Sequence, residues 1–410
     1  MDKETKIRLI VVIVLIGFVG SVFFHYFEGV YRNLPYPHNT FLFNPADKFA
    51  DYFVLYDVMQ FRSPYLGVHA SAQYPFLNFI SYALGLLPKK ASFVIYLSLF
   101  IFIFLIFTIL FTFPENPKKH ISEIFILSLL TYPILFTIDR GNLEGLVLIS
   151  LLAFIFSYQK KKYLLSTIFL SFAVAMKLFP IVLVVLYLSD KKYKETMITG
   201  LFTGLLSIIS LLFFKGGFLQ NLLHIAGGAN LVYLNRFLGG DLIVERGISL
   251  FTLIKIFFIE ANLFPKVGMV SFLGIYIKTT IVMGLFIAAY VVFLEKEFWK
   301  RVAVLVIAML LLPHVSADYK LIHIFIPIFL FINAPKSSRL DWVYIVLFGL
   351  LLIPKDYYLL GRVISDGGAD ISISVIINDV ALICMLLLVM GSGIKNWISS
   401  KKESTKVVVA

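Results

Sequence analysis

The stretch "LIVVIVLIGFVGSVFF" fills residues 9–24, and Lys3, Lys6 and Arg8 stand just before it. It holds no charge and is apolar on every side. A helix of that kind buries its whole surface, in lipid or in a large core. With its flanks it reaches the ~20 residues that cross a bilayer. Bulky and polar residues, His25 to Tyr31, follow it, and no small-residue cleavage site does. Residues 7–27 therefore read as a retained signal-anchor helix with its N-terminus in the cytoplasm.

Working outward, the same character recurs along the chain. Its 410 residues are 60% hydrophobic and only 15% charged, more apolar surface than a soluble domain could hide. Further apolar runs lie near 92–113, 121–138, 142–158, 194–214, 270–294, 299–313, 320–334, 340–354 and 371–391. Residues 76–87 are short for a crossing, 163–189 are long for one helix and are interrupted by Pro180, and 247–264 hold Lys255 and Glu260. The fold class is all-α and polytopic, with about 11–13 transmembrane helices. Alternating ten-residue segments, the mark of a barrel, are absent. The single cysteine, Cys384, excludes an intrachain disulfide and reads as a small buried hydrophobe.

The net charge of +12 is a topology signal, and no nucleic-acid partner is expected. The basic residues cluster in short loops: "ENPKKH" (115–120), "QKKKY" (159–163), "DKKYKE" (190–195), "EKEFWKR" (295–301), "APKSSR" (334–339) and "KNWISSKK" (395–402). All six can face the cytoplasm, as the positive-inside rule expects. That requires 163–189 to be two shorter spans meeting near Lys177–Pro180. It also requires 76–87 not to cross, which leaves Lys89 and Lys90 outside. One integral membrane domain over 1–410 follows, with a first outer loop at 28–75, a second at 215–269 and a cytoplasmic tail at 392–410.

In that arrangement every unusual polar cluster lands on the outer face. Asp47 and Asp51 are four apart and would share a helix face. They and Asp57 are either a solvated interfacial helix partnered by Lys48 and Arg62, or a source of a general base for an acceptor hydroxyl. In "YPILFTIDRGNLE" (132–144), Asp139 and Arg140 either pair to close a helical hairpin, or Arg140 offers its fork to a phosphate. Lys177, within "AVAMKLFPIVLV" (173–184), either snorkels to water or holds an anionic headgroup. Arg236, Asp241, Glu245 and Arg246 of "NRFLGGDLIVERG" (235–247) cap a pocket or are solvated. His314 and His323 are nine apart, which is not a ligand spacing, and no His/Cys cluster has zinc spacing. Neither phosphate-loop glycine signature is present. A reaction on the outer face then needs a substrate already activated, and lipid-linked substrates supply one.

Four clusters in order resemble glycosyltransferase family 87, the family of mycobacterial polyprenyl-phosphate-mannose-dependent mannosyltransferases. They are "DYFVLYDVM" from Asp51 with "RSPY" ending at Tyr65 and "QYPFLNFISYALGLLP" from Gln73; Asp139, Arg140, Gly141 and Asn142; Lys177 with Pro180; and Ser316 with Tyr319. The likeness runs from residue 1 to about 335. Asn142, Glu144 and Phe76 depart from the usual Gln, Asn and second Pro, and the change to Glu144 bears on donor and acceptor specificity more than on reaction type.

The resemblance implies a GT-C fold whose first outer loop carries interfacial helices and a catalytic acid. It implies a hexosyltransferase of the cell membrane that moves a sugar such as mannose from a polyprenyl-phosphate donor to a lipid or glycan hydroxyl, with inversion, at the outer face. Asp51 is then the candidate base and Asp47 the second. Arg140, Asn142, Glu144, Lys177, Tyr65, Arg236, Arg246 and Tyr319 are the candidate substrate-binding residues. The lipid-linked donor is a co-substrate, and no other cofactor and no metal are expected. Two rivals remain: a lipid-linked sugar flippase, which should show repeat symmetry that is not found, and an oligosaccharide ligase or polymerase using a diphosphate lipid, with 215–269 as its large outer loop.

Overall fold

Asp2 opens the first helix by accepting the Thr5 amide on its side chain at 2.8 Å. That helix, α1 (Lys3–Val30), is followed by the short α2 (Ala50–Met59) and α3 (Pro75–Gly85) and the long α4 (Lys89–Thr112). α5 (Ile121–Leu129) and α6 (Tyr132–Arg140) come next, then α7 (Glu144–Gln159) and α8 (Tyr163–Met176). A 3₁₀ turn, Phe179–Leu183, leads into α9 (Val184–Ser189), α10 (Tyr193–Phe213) and α11 (Gly217–Tyr233). α12 (Leu250–Glu260), α13 (Met269–Phe293) and α14 (Phe298–Leu311) precede another 3₁₀ stretch, Asp318–Ile324, which runs into α15 (Phe325–Ile332). α16 (Asp341–Leu352), the antiparallel strands β1 (Tyr358–Val363) and β2 (Asp370–Ser372), and α17 (Ile373–Val409) complete the chain. The computed structural model describes all residues but 37, 43–47, 61, 66–72, 234–245, 262, 264–268, 336, 356–357, 364–369 and 410. Side chains of 228–233, 269–270, 358–363, 370 and 400–409 are likewise outside the description.

The protein is an all-α polytopic membrane protein. Among the described residues, α1, α4, α10, Ser271–Phe293 of α13 and Ile373–Ser399 of α17 are long and apolar enough to cross a bilayer. Pro117–Leu129, which includes α5, and α6 together are apolar enough for one more span, but a 55° bend between them gives the shape of a broken span or a re-entrant loop. The other apolar runs are delivered as shorter or interrupted helices rather than continuous crossings. The breaks fall at Pro133, at Lys177–Pro180 and at Ser316–Tyr319, where proline or polar side chains interrupt the ladder. The small hairpin β1–β2 has no counterpart in the sequence expectation. At 11 residues, α3 is too short to span.

The two limbs of 163–189 leave one side of the bundle and return to it. Tyr158 donates to Asp190 Oδ2 at 2.8 Å, and Arg301 reaches Asp190 Oδ1 at 2.6 Å. The turns after α7 and after α9 therefore share a face. α1 and α16 lie side by side in the same direction: Lys6 meets Asp341 at 3.5 Å, and Ser21 Oγ donates to the Pro354 carbonyl at 2.7 Å. α14 and α15 are buried nearly all round and form the centre of the bundle. Large apolar side chains such as Phe23, Leu201, Phe286 and Leu387 face outward, as a lipid-facing belt requires. Cys384 belongs to that outward face. It is exposed rather than buried, because an apolar run in a membrane helix does not by itself tell a core face from a lipid face.

Candidate active site

The α6–α7 turn is where the chemistry collects. Gly141 ends α6 in the left-handed region (φ 61°), and its amide returns to the Ile138 carbonyl while Asn142 N–H returns to Thr137. This is the paired closure of a Schellman cap, and glycine meets its positive φ without strain. Space demands glycine too: a Cβ here would come within 2.9 Å of Tyr52 Cβ. The missing side chain lets α2 rest on the turn. Phe49, itself left-handed, anchors the start of α2 by donating its amide to the Asp139 carbonyl at 3.1 Å.

That contact brings Asp51, in the first turn of α2, over the α6–α7 turn. Its Oδ1 accepts from Arg140 Nη2 and its Oδ2 from Asn142 Nδ2, each at 2.7 Å. Asn142 spends its other end on the helix, where Oδ1 accepts the Glu144 amide at 2.9 Å. One side chain thus caps α7 and orients Asp51. The Asp51 side chain keeps 28% of its surface exposed. Each of its oxygens has a second lone pair to offer an incoming hydroxyl.

Beneath it lies a buried ionic cluster. Glu144, at the start of α7, is fully buried, with Lys177 Nζ 3.9 Å and His323 Nε2 3.4 Å from its carboxylate oxygens. Lys177 is extended (φ −150°, ψ 132°) in the break after α8, and it donates to Gln73 Oε1 at 2.9 Å. Lys320 lies over the Phe179 ring, 4.7 Å from its centroid, and donates to the Val315 carbonyl at 2.9 Å. Tyr319 stands within electrostatic reach of Glu144, Asp51 and Arg140. Helix starts, a helix break and a 3₁₀ stretch thus converge, each placing a polar group at an interruption in apolar structure.

A family model, glycosyltransferase family 87, matches residues 74–314. The chain belongs to glycosyltransferase family 87. It is therefore a membrane glycosyltransferase. No curated protein and no solved structure matches it. The family 87 match covers Arg140, Asn142, Glu144 and Lys177; it starts after Asp51 and stops before Tyr319 and His323.

Within this family 87 protein, the structure brings together Asp51, Arg140, Asn142, Glu144, Lys177 and Tyr319. Tyr65 stands one step back. It is buried, its hydroxyl accepts from Asn78 Nδ2 at 2.9 Å, and Asn78 also donates to the Gln73 carbonyl at 3.3 Å. Tyr65 thus braces Asn78, which in turn holds the main chain of Gln73, the partner of Lys177. Arg246 donates to the Tyr36 hydroxyl at 3.1 Å and lies 5.5 Å from the centroid of Phe136, one helical turn before Arg140. Asp47 and Arg236 lie outside the described residues.

Arg140 reaches past its neighbour Asp139 to take Asp51 as an ion partner, and Lys177 is turned inward instead of snorkelling. Asp57 is exposed, as a solvated interfacial helix would have it, but its partner is Lys89 at 2.7 Å in place of Lys48 or Arg62, and Arg62 stacks on Phe213. Sequence reasoning missed Gln73 and the link of His323 to Glu144. The one available signal for Gln73 was its place just before the Tyr74–Pro75 helix start.

Proposed function

We propose that this glycosyltransferase moves a hexose, mannose being the type case, from a polyprenyl-phosphate donor to a hydroxyl of a lipid or glycan acceptor. Transfer takes place at the outer face of the cell membrane, with inversion at the anomeric carbon. The carrying observation is Asp51 held by Arg140 and Asn142 directly above the Glu144–Lys177–His323 cluster.

In the reaction the acceptor oxygen attacks the anomeric carbon from the side opposite the phosphate. The bond from that carbon to the phosphate oxygen breaks, the acceptor proton passes to Asp51, and polyprenyl phosphate leaves. Arg140 and Lys177 stabilise charge growing on the departing phosphate. Asp51 is fixed by two donors before substrate arrives, so little reorganisation is needed at the moment of attack. Asp47 is the second candidate for the base. Glu144 sets the position of Lys177, and Asn142 that of Asp51; Tyr319, Arg246 and Arg236 are the candidate sugar contacts of this scheme. No metal enters this scheme.

The test is a transfer assay with synthetic short-chain polyprenyl-phosphate sugars and membranes carrying the full chain. Asp51→Asn should lower turnover by about 10²–10⁴-fold, the usual worth of a positioned base, while donor binding persists. Turnover equal to the unmodified protein would remove Asp51 from the role. Movement of donor across the bilayer without transfer would favour a flippase instead.

A further inference from the structure

On the face opposite the Asp51 site lies a cavity of about 990 Å³. It opens where the end of α13, the start of α14, the end of α15 and the start of α16 meet α17, beside the start of α1. Its wall carries Lys296, Arg339 and Lys395, all exposed, and two of the chain's three tryptophans, Trp299 and Trp397. Leu387, 65% exposed on the outward side of α17, continues that wall toward lipid.

The charges here do not cancel. Glu295 is spent on the Tyr290 hydroxyl at 2.7 Å and on the amides of Lys296 and Glu297 at 2.9 and 2.8 Å. Glu297 takes Lys300 at 3.1 Å and the Trp299 indole N–H at 3.2 Å. Asp341 takes Lys6 at 3.5 Å, the chain's first amino group at 3.9 Å and the Ser338 amide at 3.2 Å. Every acid of the lining is engaged. Lys296, Arg339 and Lys395 have no ion-pair or hydrogen-bond partner on their side chains among the described residues.

A topology signal needs only basic residues near a membrane end. It does not need three unpaired cations, two indoles and an apolar wall around one large hollow. We propose that this cavity binds the headgroup of an anionic phospholipid of the bilayer, with its phosphate on Lys296, Arg339 and Lys395 and its acyl chains along Leu387. Basic pockets between transmembrane helices take anionic headgroups for this reason, and indoles favour the headgroup level.

The experiment uses the full chain in lipid nanodiscs carrying Trp342→Phe, so that only Trp299 and Trp397 emit. Phosphatidylglycerol and phosphatidylcholine with brominated chains are titrated separately against tryptophan fluorescence. Phosphatidylglycerol should quench at a lipid fraction on the order of tenfold lower than phosphatidylcholine. Lys296→Gln/Arg339→Gln/Lys395→Gln should erase that difference. Inorganic phosphate at matched ionic strength should leave it unchanged. Equal midpoints for the two lipids in the parent protein overturn the proposal whatever the variants do. So does an unchanged preference in the triple variant, or displacement by inorganic phosphate, which would mark a free-phosphate site.

Discussion

Gly141 and Glu144 carry most of the constraint at the residue scale. Alanine at 141 would hold a left-handed φ, costing about 1–2 kcal/mol, and would also press its Cβ against Tyr52. Gly141→Ala should therefore lower thermal stability in detergent and slow transfer by displacing α2 with Asp51. Gly141→Asn separates the two effects, since asparagine tolerates the left-handed region but still brings a Cβ. Full stability in Gly141→Asn would show that the contact with Tyr52 costs nothing. Glu144 tests the buried cluster. Removing one partner of a buried pair costs about 3–5 kcal/mol, so Glu144→Gln and Lys177→Met should each lower the unfolding temperature clearly. Combined, they should lose less than the sum, with a coupling of about 0.5–3 kcal/mol. Additive losses in a double-mutant cycle would mean that the 3.9 Å approach carries no coupling.

At the scale of elements, the α1–α16 contact shows how two membrane helices pack without a hydrophobic driving force between them. Small residues let the backbones approach. A Cβ on Gly349 would fall 2.5 Å from Ile13 Cγ2, and one on Gly17 would fall 2.3 Å from Ile353 Cγ2. Gly17→Leu and Gly349→Leu should each force the pair apart and destabilise by about 1–3 kcal/mol, the usual penalty for overpacking. Gly20→Leu is the control, because nothing stands within 4 Å of its Cβ position. Melting curves of fluorescent fusions in detergent will separate the three, and a Gly349→Leu protein that melts with the parent would refute the close contact.

For the whole molecule, the decisive quantity is which loops share a side. The bonds of Asp190 to Tyr158 and Arg301 set the turns after α7, after α9 and before α14 on one face. α2 and the start of α4 meet through Asp57 and Lys89 on the other. In a Cys384→Ala background, a membrane-impermeant maleimide should label Gln60→Cys in intact cells. It should reach Lys161→Cys and Lys191→Cys only after permeabilisation. Labelling of Lys161→Cys and Lys191→Cys from different sides would break the out-and-back path of 163–189.

Membrane class, helix type and the anomalous polar positions follow from the chain alone. Hydropathy and loop charge are local, and an arginine or lysine inside an apolar run stands out without any coordinates. Partnership is not local. The sequence offers Asp139 to Arg140, yet Arg140 also reaches Asp51, 89 positions away. Lys177 finds Gln73 at a separation of 104, and Glu144 finds Lys177 and His323 on other elements. The same limit explains Cys384, because an apolar run does not say which of its faces meets protein and which meets lipid. Which interruptions in which helices come to lie together is set by packing across the whole bundle, and no short stretch of residues encodes that.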